Sequence, residues 1–246
     1  MPNAPAADQR RLLDVQALDT RLDQLAHRRR TLPELARIAE LDAQLADLHT
    51  ALVTSQTAVA DLRRELAKAE ADVQQVRDRA QRNQARLDSG QGTAKDLQAL
   101  QHELESLGKR QGDLEEVELE VMERLEAHEK ALAEVTDAHT QLAAGKAQVE
   151  SERDAAYAQL DAEIATVQSE RATAAAGLDA GLVALYDRLR GQLGGQGAAA
   201  LRGRRCEGCR LELNPLDLDA IKAKPEDAVV RCEECGRILV RLPEGQ

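Results

Sequence analysis

Four cysteines, Cys206, Cys209, Cys232 and Cys235, are all the thiols of a 246-residue chain, and they form two C-x-x-C pairs. Two thiolates three residues apart can bind one ion from a single tight turn. A second such turn beyond residues 210–231 completes a tetrahedral S₄ shell. The spacing predicts one structural Zn²⁺ held by these four sulfurs. Two disulfides or a redox C-x-x-C would use the same residues. Nothing in the chain marks a secreted context, however, and a redox site needs only one pair. An S₄ shell is closed and leaves no position for an activated water. The chain also lacks a Gly-rich phosphate loop with Lys-Ser/Thr and a G-x-S-x-G. Its five histidines are scattered; His102, His128 and His139 read as helix-surface or seam residues. The expectation is a protein without enzymatic activity or a small-molecule substrate.

Around the thiols lie Arg202, Arg204, Arg205 and Arg210 at the first pair, and Arg231, Arg237 and Arg241 at the second. Gathered on one face, Arg202, Arg204, Arg205, Arg210, Arg231 and Arg237 are candidate contacts for phosphates or for a protein partner. The balance of charge opposes nucleic acid. Residues 1–200 hold 24 basic and 35 acidic side chains and so carry the whole net charge of −11. Such a body repels a phosphate backbone. Residues 201–246 are balanced and contain no aromatic side chain on which bases could stack. Arg28-Arg29-Arg30 reads as a solvated cluster on an acidic helix.

The elements that position the cysteines are legible from periodicity. With no Trp, no Phe and two Tyr in a chain that is 43% hydrophobic, a thick aromatic-filled core is not expected; long helices packed through narrow seams are. From Ile38, Leu41, Leu45 and Leu48 to Leu87, apolar residues recur at alternating steps of three and four, broken only by Ser55 and Asn83. This is a heptad seam. Residues 8–30 carry a shorter helix, with a kink near 31–33 at Pro33 and Thr31 as an adjacent cap. Asp88-Ser-Gly-Gln-Gly-Thr93 reads as a reversal near 88–94, with Thr93 capping the second arm. The seam resumes at Leu97 and runs less cleanly through Leu178, Leu182 and Leu189. Two seams about a short turn predict an antiparallel hairpin with arms of roughly 120–140 Å. Facing residues would pair Leu45 with His139, Val73 with Gln111 and Ser55 with His128, whose imidazole is read as snorkelling.

The expected organisation is therefore a coiled-coil hairpin over 1–190, a Gly-rich hinge over 191–197 and a zinc ribbon over 198–246. The fold class is mostly α with a small C-terminal β ribbon. In the ribbon, Asn214-Pro215 predicts a capped short helix. Val229-Val230 and Ile238-Leu239-Val240 predict strands, making strand–knuckle–strand twice. Gly208 and Gly236 are read as knuckle positions needing backbone freedom. The N-terminus has no signal-peptide pattern and no apolar run is long enough to span a membrane, so cytoplasmic residence and no membrane partner are expected.

Leu185-Tyr186-Asp-Arg-Leu-Arg190, Cys206-Glu-Gly-Cys209, Cys232-Glu-Glu-Cys235-Gly-Arg-Ile-Leu239 and Leu97-Gln-Ala-Leu-Gln-His-Glu-Leu104 together resemble the bacterial C4-type zinc-ribbon proteins with an N-terminal coiled-coil hairpin. The resemblance spans essentially the whole chain, with Val240 where the family often has an aromatic residue. It implies the hairpin, the ribbon and the zinc. Members are often described as nucleic-acid-binding, and some act as chaperones or adaptors. The reading adopted is a non-enzymatic adaptor that binds partner proteins through the ribbon and helix faces, with Leu12, Leu13, Val117, Leu119 and Ile221 as candidate docking residues. The alternatives are an Arg-flanked nucleic-acid-binding ribbon, or an RNA-polymerase-binding hairpin factor with Asp88 and Asp96 at its tip.

Overall fold

The structure, a computed structural model, describes residues 3–242; residues 1–2 and 243–246, at the outer ends of the two expected domains, lie outside it. Packing divides the chain into two units, Ala36–Glu150, and Met1–Leu35 together with Ser151–Gln246. The unit containing the ribbon thus also contains the first helix and the last part of the hairpin, so the boundaries at 190 and 198 cut through one packed body.

Within 36–150, helix α2 (Pro33–Asp88) and helix α3 (Ala94–Ala175) run antiparallel. Their ion pairs, Arg79–Glu103, Arg77–Glu115, Arg63–Glu129 and Lys146–Asp42, climb α3 as they descend α2. Leu41, Val59, Leu62, Ala69 and Val73 of α2 and Leu100 and Val121 of α3 are buried along the predicted seam. At the reversal, Thr93 Oγ1 accepts from Asp96 N (3.3 Å) while Asp96 Oδ2 accepts from Thr93 N (2.9 Å). This is a reciprocal capping box. One register detail differs from expectation. His139 lies beside His49, with ring centroids 6.4 Å apart, one helical turn from the predicted partner Leu45. His128 is exposed, as a snorkelling residue should be.

In the other unit, helix α1 (Ala6–Arg30) lies antiparallel to the end of α3, tied by Arg29–Asp161 (2.9 Å) and Arg171–Asp19 (2.7 Å). α1 ends before Pro33, but Thr31 does not cap α2; its hydroxyl donates to His27 O at the end of α1 (2.9 Å). The second arm is not one helix to Leu189. α3 stops at Ala175, Gly177 adopts φ +73°, and a new helix α4 (Ala180–Gln192) starts with Asp179 accepting from Leu182 N (2.8 Å). The last turn of α3 has no basic residue of its own. Arg11 of α1 supplies the missing charge by donating to Ala174 O and Ala176 O.

The ribbon is a four-stranded sheet in the order β2-β1-β4-β3, from β1 (Ala198–Arg202), β2 (Arg205–Cys206), β3 (Val230–Arg231) and β4 (Ile238–Arg241). β1 and β4 are parallel, and the outer pairs are antiparallel. The expected second strand after the first knuckle is reduced to a bridge between Arg205 and Glu212. Side chains alternate across the sheet. Ala198, Ile238 and Val240 face Leu12 and Val15 of α1 and Leu182, Tyr186 and Leu189 of α4. Ala199, Leu201 and Leu239 face Leu213, the thiols, and Leu218 and Ile221 of α5 (Pro215–Ala223). Asn214 caps α5 as predicted, accepting from Asp217 N (2.9 Å). Leu12 and Ile221 are therefore core residues rather than docking residues, and Leu13 packs at the core's edge.

Residues 191–197 do not form a free hinge. Gln16 of α1 accepts from Gly197 N (2.8 Å) and Ala198 N (3.3 Å) and donates to Gly195 O (3.1 Å). From the other side Arg237 donates to Gln196 O and Leu193 O. A Cβ on Gly197 would lie 2.7 Å from Tyr186 O. Glycine is required there by close approach, not by flexibility.

Candidate metal centre

Cys206 ends β2 and Cys209 follows in the turn after it, while Cys232 and Cys235 come from the turn between β3 and β4. Each turn closes the same way. Arg210 N donates to Cys206 O (2.7 Å) and Cys206 N to Leu211 O (3.1 Å); Gly236 N donates to Cys232 O (2.8 Å) and Cys232 N to Arg237 O (2.9 Å). The residue after the second cysteine takes positive φ in both, +73° at Gly236 and +61° at Arg210. The first knuckle thus places an arginine where the second uses glycine. Gly208 serves another purpose: a Cβ there would meet Ala199 Cβ at 2.9 Å, so it lets the knuckle approach the sheet.

The four Sγ atoms all lie within 4.8 Å of one another, with Cys206–Cys235 and Cys209–Cys232 at 3.9 Å. Sulfurs bonded to tetrahedral zinc at about 2.3 Å stand about 3.8 Å apart, whereas a disulfide brings them to about 2.05 Å. The geometry fits an S₄ metal site and no cysteine is paired covalently. Electrostatics adds to this fit. Burial pushes the Cys232 thiol up to about 12 and the Cys206 thiol upward, although the amides of Glu234 and Cys235 and those of Gly208 and Cys209 are directed at these two sulfurs. Burial also opposes ionisation of Cys235, but the amide and guanidinium of Arg237 outweigh it and bring the thiol down to about 7. The buried thiols of Cys206 and Cys232 stay protonated until a cation replaces their protons.

The arginines divide into braces and exposed cations. Arg205 and Arg231 each precede the first cysteine of a knuckle, and each donates to the carbonyl just past the second: Arg210 O at 3.1 Å and Gly236 O at 2.7 Å. Arg237 supports Cys235 and clamps residues 193–196. Arg241 donates to five carbonyls between Ile221 and Ala228. Arg205, Arg231 and Arg237 therefore support the metal turns, and Arg205 and Arg231 do so while staying exposed. Arg202 and Arg210 remain exposed, and Arg204 makes one long pair with Glu212 (3.8 Å). At the hairpin turn Asp96 belongs to the capping box, and Asp88 accepts from Gln84. Both carboxylates seen as a polymerase-directed tip have structural partners.

Sequence reasoning missed the polar cluster beneath the sheet. Asp19 is 3% exposed on its side chain and accepts from Arg171 (2.7 and 3.2 Å) and from Tyr186 Oη (2.7 Å), with Arg190 Nε at 3.6 Å. Arg171 also pairs with Asp187, and Arg190 with Asp23. Asp19 lies on the buried face of α1 with Leu12, Val15 and Gln16, where a carboxylate gives no apolar signal. The motif Tyr186-Asp-Arg-Leu-Arg190 is visible in the sequence, but the partners of Tyr186 and Arg190, Asp19 and Asp23, lie 167 residues away.

An antiparallel hairpin of long helices joined to a four-cysteine ribbon defines a class: C4 zinc-ribbon proteins with a coiled-coil hairpin, built to hold one structural zinc ion. This chain belongs to the family of the CT398-like coiled coil hairpin domain, whose model matches residues 15–194, with the C4-type zinc ribbon domain matching 205–239. The uncharacterized protein Rv2229c of Mycobacterium tuberculosis is 38% identical over 239 residues, 97% of each chain. A solved structure from Mycobacterium smegmatis is 37% identical, with TM-score 0.86, covering 97% of this chain and all of that one. CT398 from Chlamydia trachomatis shares the fold at TM-score 0.70 and 19% identity, over 96% of this chain and 98% of that one.

Proposed function

We propose that the chain is a cytoplasmic, non-enzymatic adaptor that binds partner proteins through its ribbon and exposed helix faces. The zinc holds the ribbon in shape and has no open coordination position for chemistry. The observation that carries the reading is the exposure of large apolar side chains beside well-formed cores. Leu211, just past the first knuckle, is 52% exposed, and Leu216 on α5 is 81% exposed. On α3, Val117, Leu119 and Met122 are also exposed. Such residues next to a rigid metal turn are what a docking surface requires. Affinity capture from native lysate tests this, comparing wild type with Leu211→Asp/Leu216→Asp, with and without nuclease. Nuclease-resistant prey lost in the variant is the expected result. Prey that vanishes with nuclease and ignores the variant would overturn the reading. The exposure of Arg202 and Arg210 favours the second reading, a phosphate-contacting ribbon, for which that outcome would speak.

A further inference from the structure

A cavity of about 630 Å³ opens between the start of α1, the β1–β2 turn, α5 and the end of β4, entirely within the unit that holds the ribbon. Its size is that of a ligand site. Six cations line it; Arg241 is spent on backbone carbonyls, and the other five are Arg10, Arg202, Arg204, Lys222 and Lys224. Against them stands one carboxylate, Glu226, in a chain whose net charge is −11. All five cations are exposed. Among the described residues only Arg204 has an ion pair, the long one to Glu212. The floor is apolar, from Leu201, Leu218 and Leu242. It is also firm: Arg241 crosses it on five backbone carbonyls, and Gln9 donates to Ala4 O and Glu226 O. Without a partner, such concentrated like charge costs free energy through self-repulsion.

We infer that this cleft is a binding site for an acidic peptide segment of a partner protein, with an aliphatic side chain of that segment seated on the leucine floor and its carboxylates on the cationic rim. The inference rests on the adaptor reading and gives the partner a chemistry. Three features favour a peptide over a phosphate polymer. The apolar floor gives a phosphate nothing to bind. No aromatic residue lines the cavity, so no base can stack. Glu226 repels a phosphate but can accept from a peptide N–H. The cations come from three separate elements, which suits carboxylates spaced along an extended chain rather than one compact anion.

The test is fluorescence anisotropy of the full-length, zinc-loaded chain with a labelled peptide of about twelve residues, rich in Asp and Glu and carrying two Leu. Saturable binding is expected. Replacing both leucines by serine should weaken it about tenfold, and Arg202→Glu/Lys222→Glu at least about tenfold. Raising salt from about 50 to 300 mM should also weaken it severalfold. Both substituted side chains are exposed, so helicity and zinc content should be unchanged; should that variant misfold, the serine peptide and the salt series still decide. Absence of saturable binding, indifference to the leucines, or tighter binding of tripolyphosphate or an oligonucleotide would overturn the inference. So would self-association of the chain lost in Arg202→Glu/Lys222→Glu, which would assign the cleft to a second copy. If peptide binding fails while nuclease-resistant prey is still captured, the cleft falls and the adaptor stands. If the peptide binds but no such prey exists, the adaptor reading falls alone.

Discussion

Tyr186→Phe removes one oxygen from the buried cluster that ties α1 to α3 and α4. Tyr186 Oη donates to Asp19 at 2.7 Å where both residues are almost fully buried. A hydrogen bond to a charged group contributes about 1.5–3 kcal/mol. Asp19 keeps both bonds from Arg171, so the loss should be near the lower half, about 2 kcal/mol, or about 30-fold in the unfolding constant. With a urea slope of about 2 kcal/mol/M the midpoint should fall by about 1 M. The readout must report this unit alone. Tyr157 serves, because it lies in the same unit with the Arg29 guanidinium 4.3 Å from its ring centre; with no Trp in the chain, its fluorescence in the variant is unobscured. Asp19→Asn and the double variant complete a cycle, with a coupling of at least about 1 kcal/mol expected. A midpoint shift below about 0.3 M, or strictly additive effects, would refute the claim that this cluster acts as one unit.

Chelating the zinc, or Cys232→Ser, should unfold the ribbon and also loosen α1 and α4, because β1 and β4 supply one side of the core containing Leu12, Val15, Leu182 and Tyr186. Hydrogen exchange should show lost protection over 6–30 and 180–192, with the seam in 36–150 unchanged; protection retained in α1 would contradict that coupling. Acid should act on the hairpin turn. The Thr93 hydroxyl and amide hold the Asp96 carboxyl below its ordinary 3.8, so the cap's contribution is complete above that value and disappears as pH falls through the lower folded value. Exchange of the Thr93 amide across this acid range should reveal the fraying, and an Asp96→Asn variant, whose side chain does not titrate, should not show it.

Spacing alone settled much of this molecule. Four cysteines in two pairs have few ways to satisfy a cation, and the three-four recurrence from Ile38 to Leu87 and from Leu97 onward has one low-energy partner, another seam. Caps at Thr93 and Asn214 were equally readable, because their donors lie three residues away. Long-range packing decided the rest. Ala198–Arg202 opens the expected ribbon without a β-branched residue, yet becomes a strand because Gln16 and β4 complete its hydrogen bonds. Leu12 and Ile221 looked spare beside a two-helix seam and are core because a sheet covers them. The bracing by Arg205, Arg231 and Arg237 was not legible, because the carbonyls they satisfy are positioned as acceptors only once the knuckles have closed. A local pattern states which groups need partners; where those partners lie tens or hundreds of residues away, only the folded chain selects them.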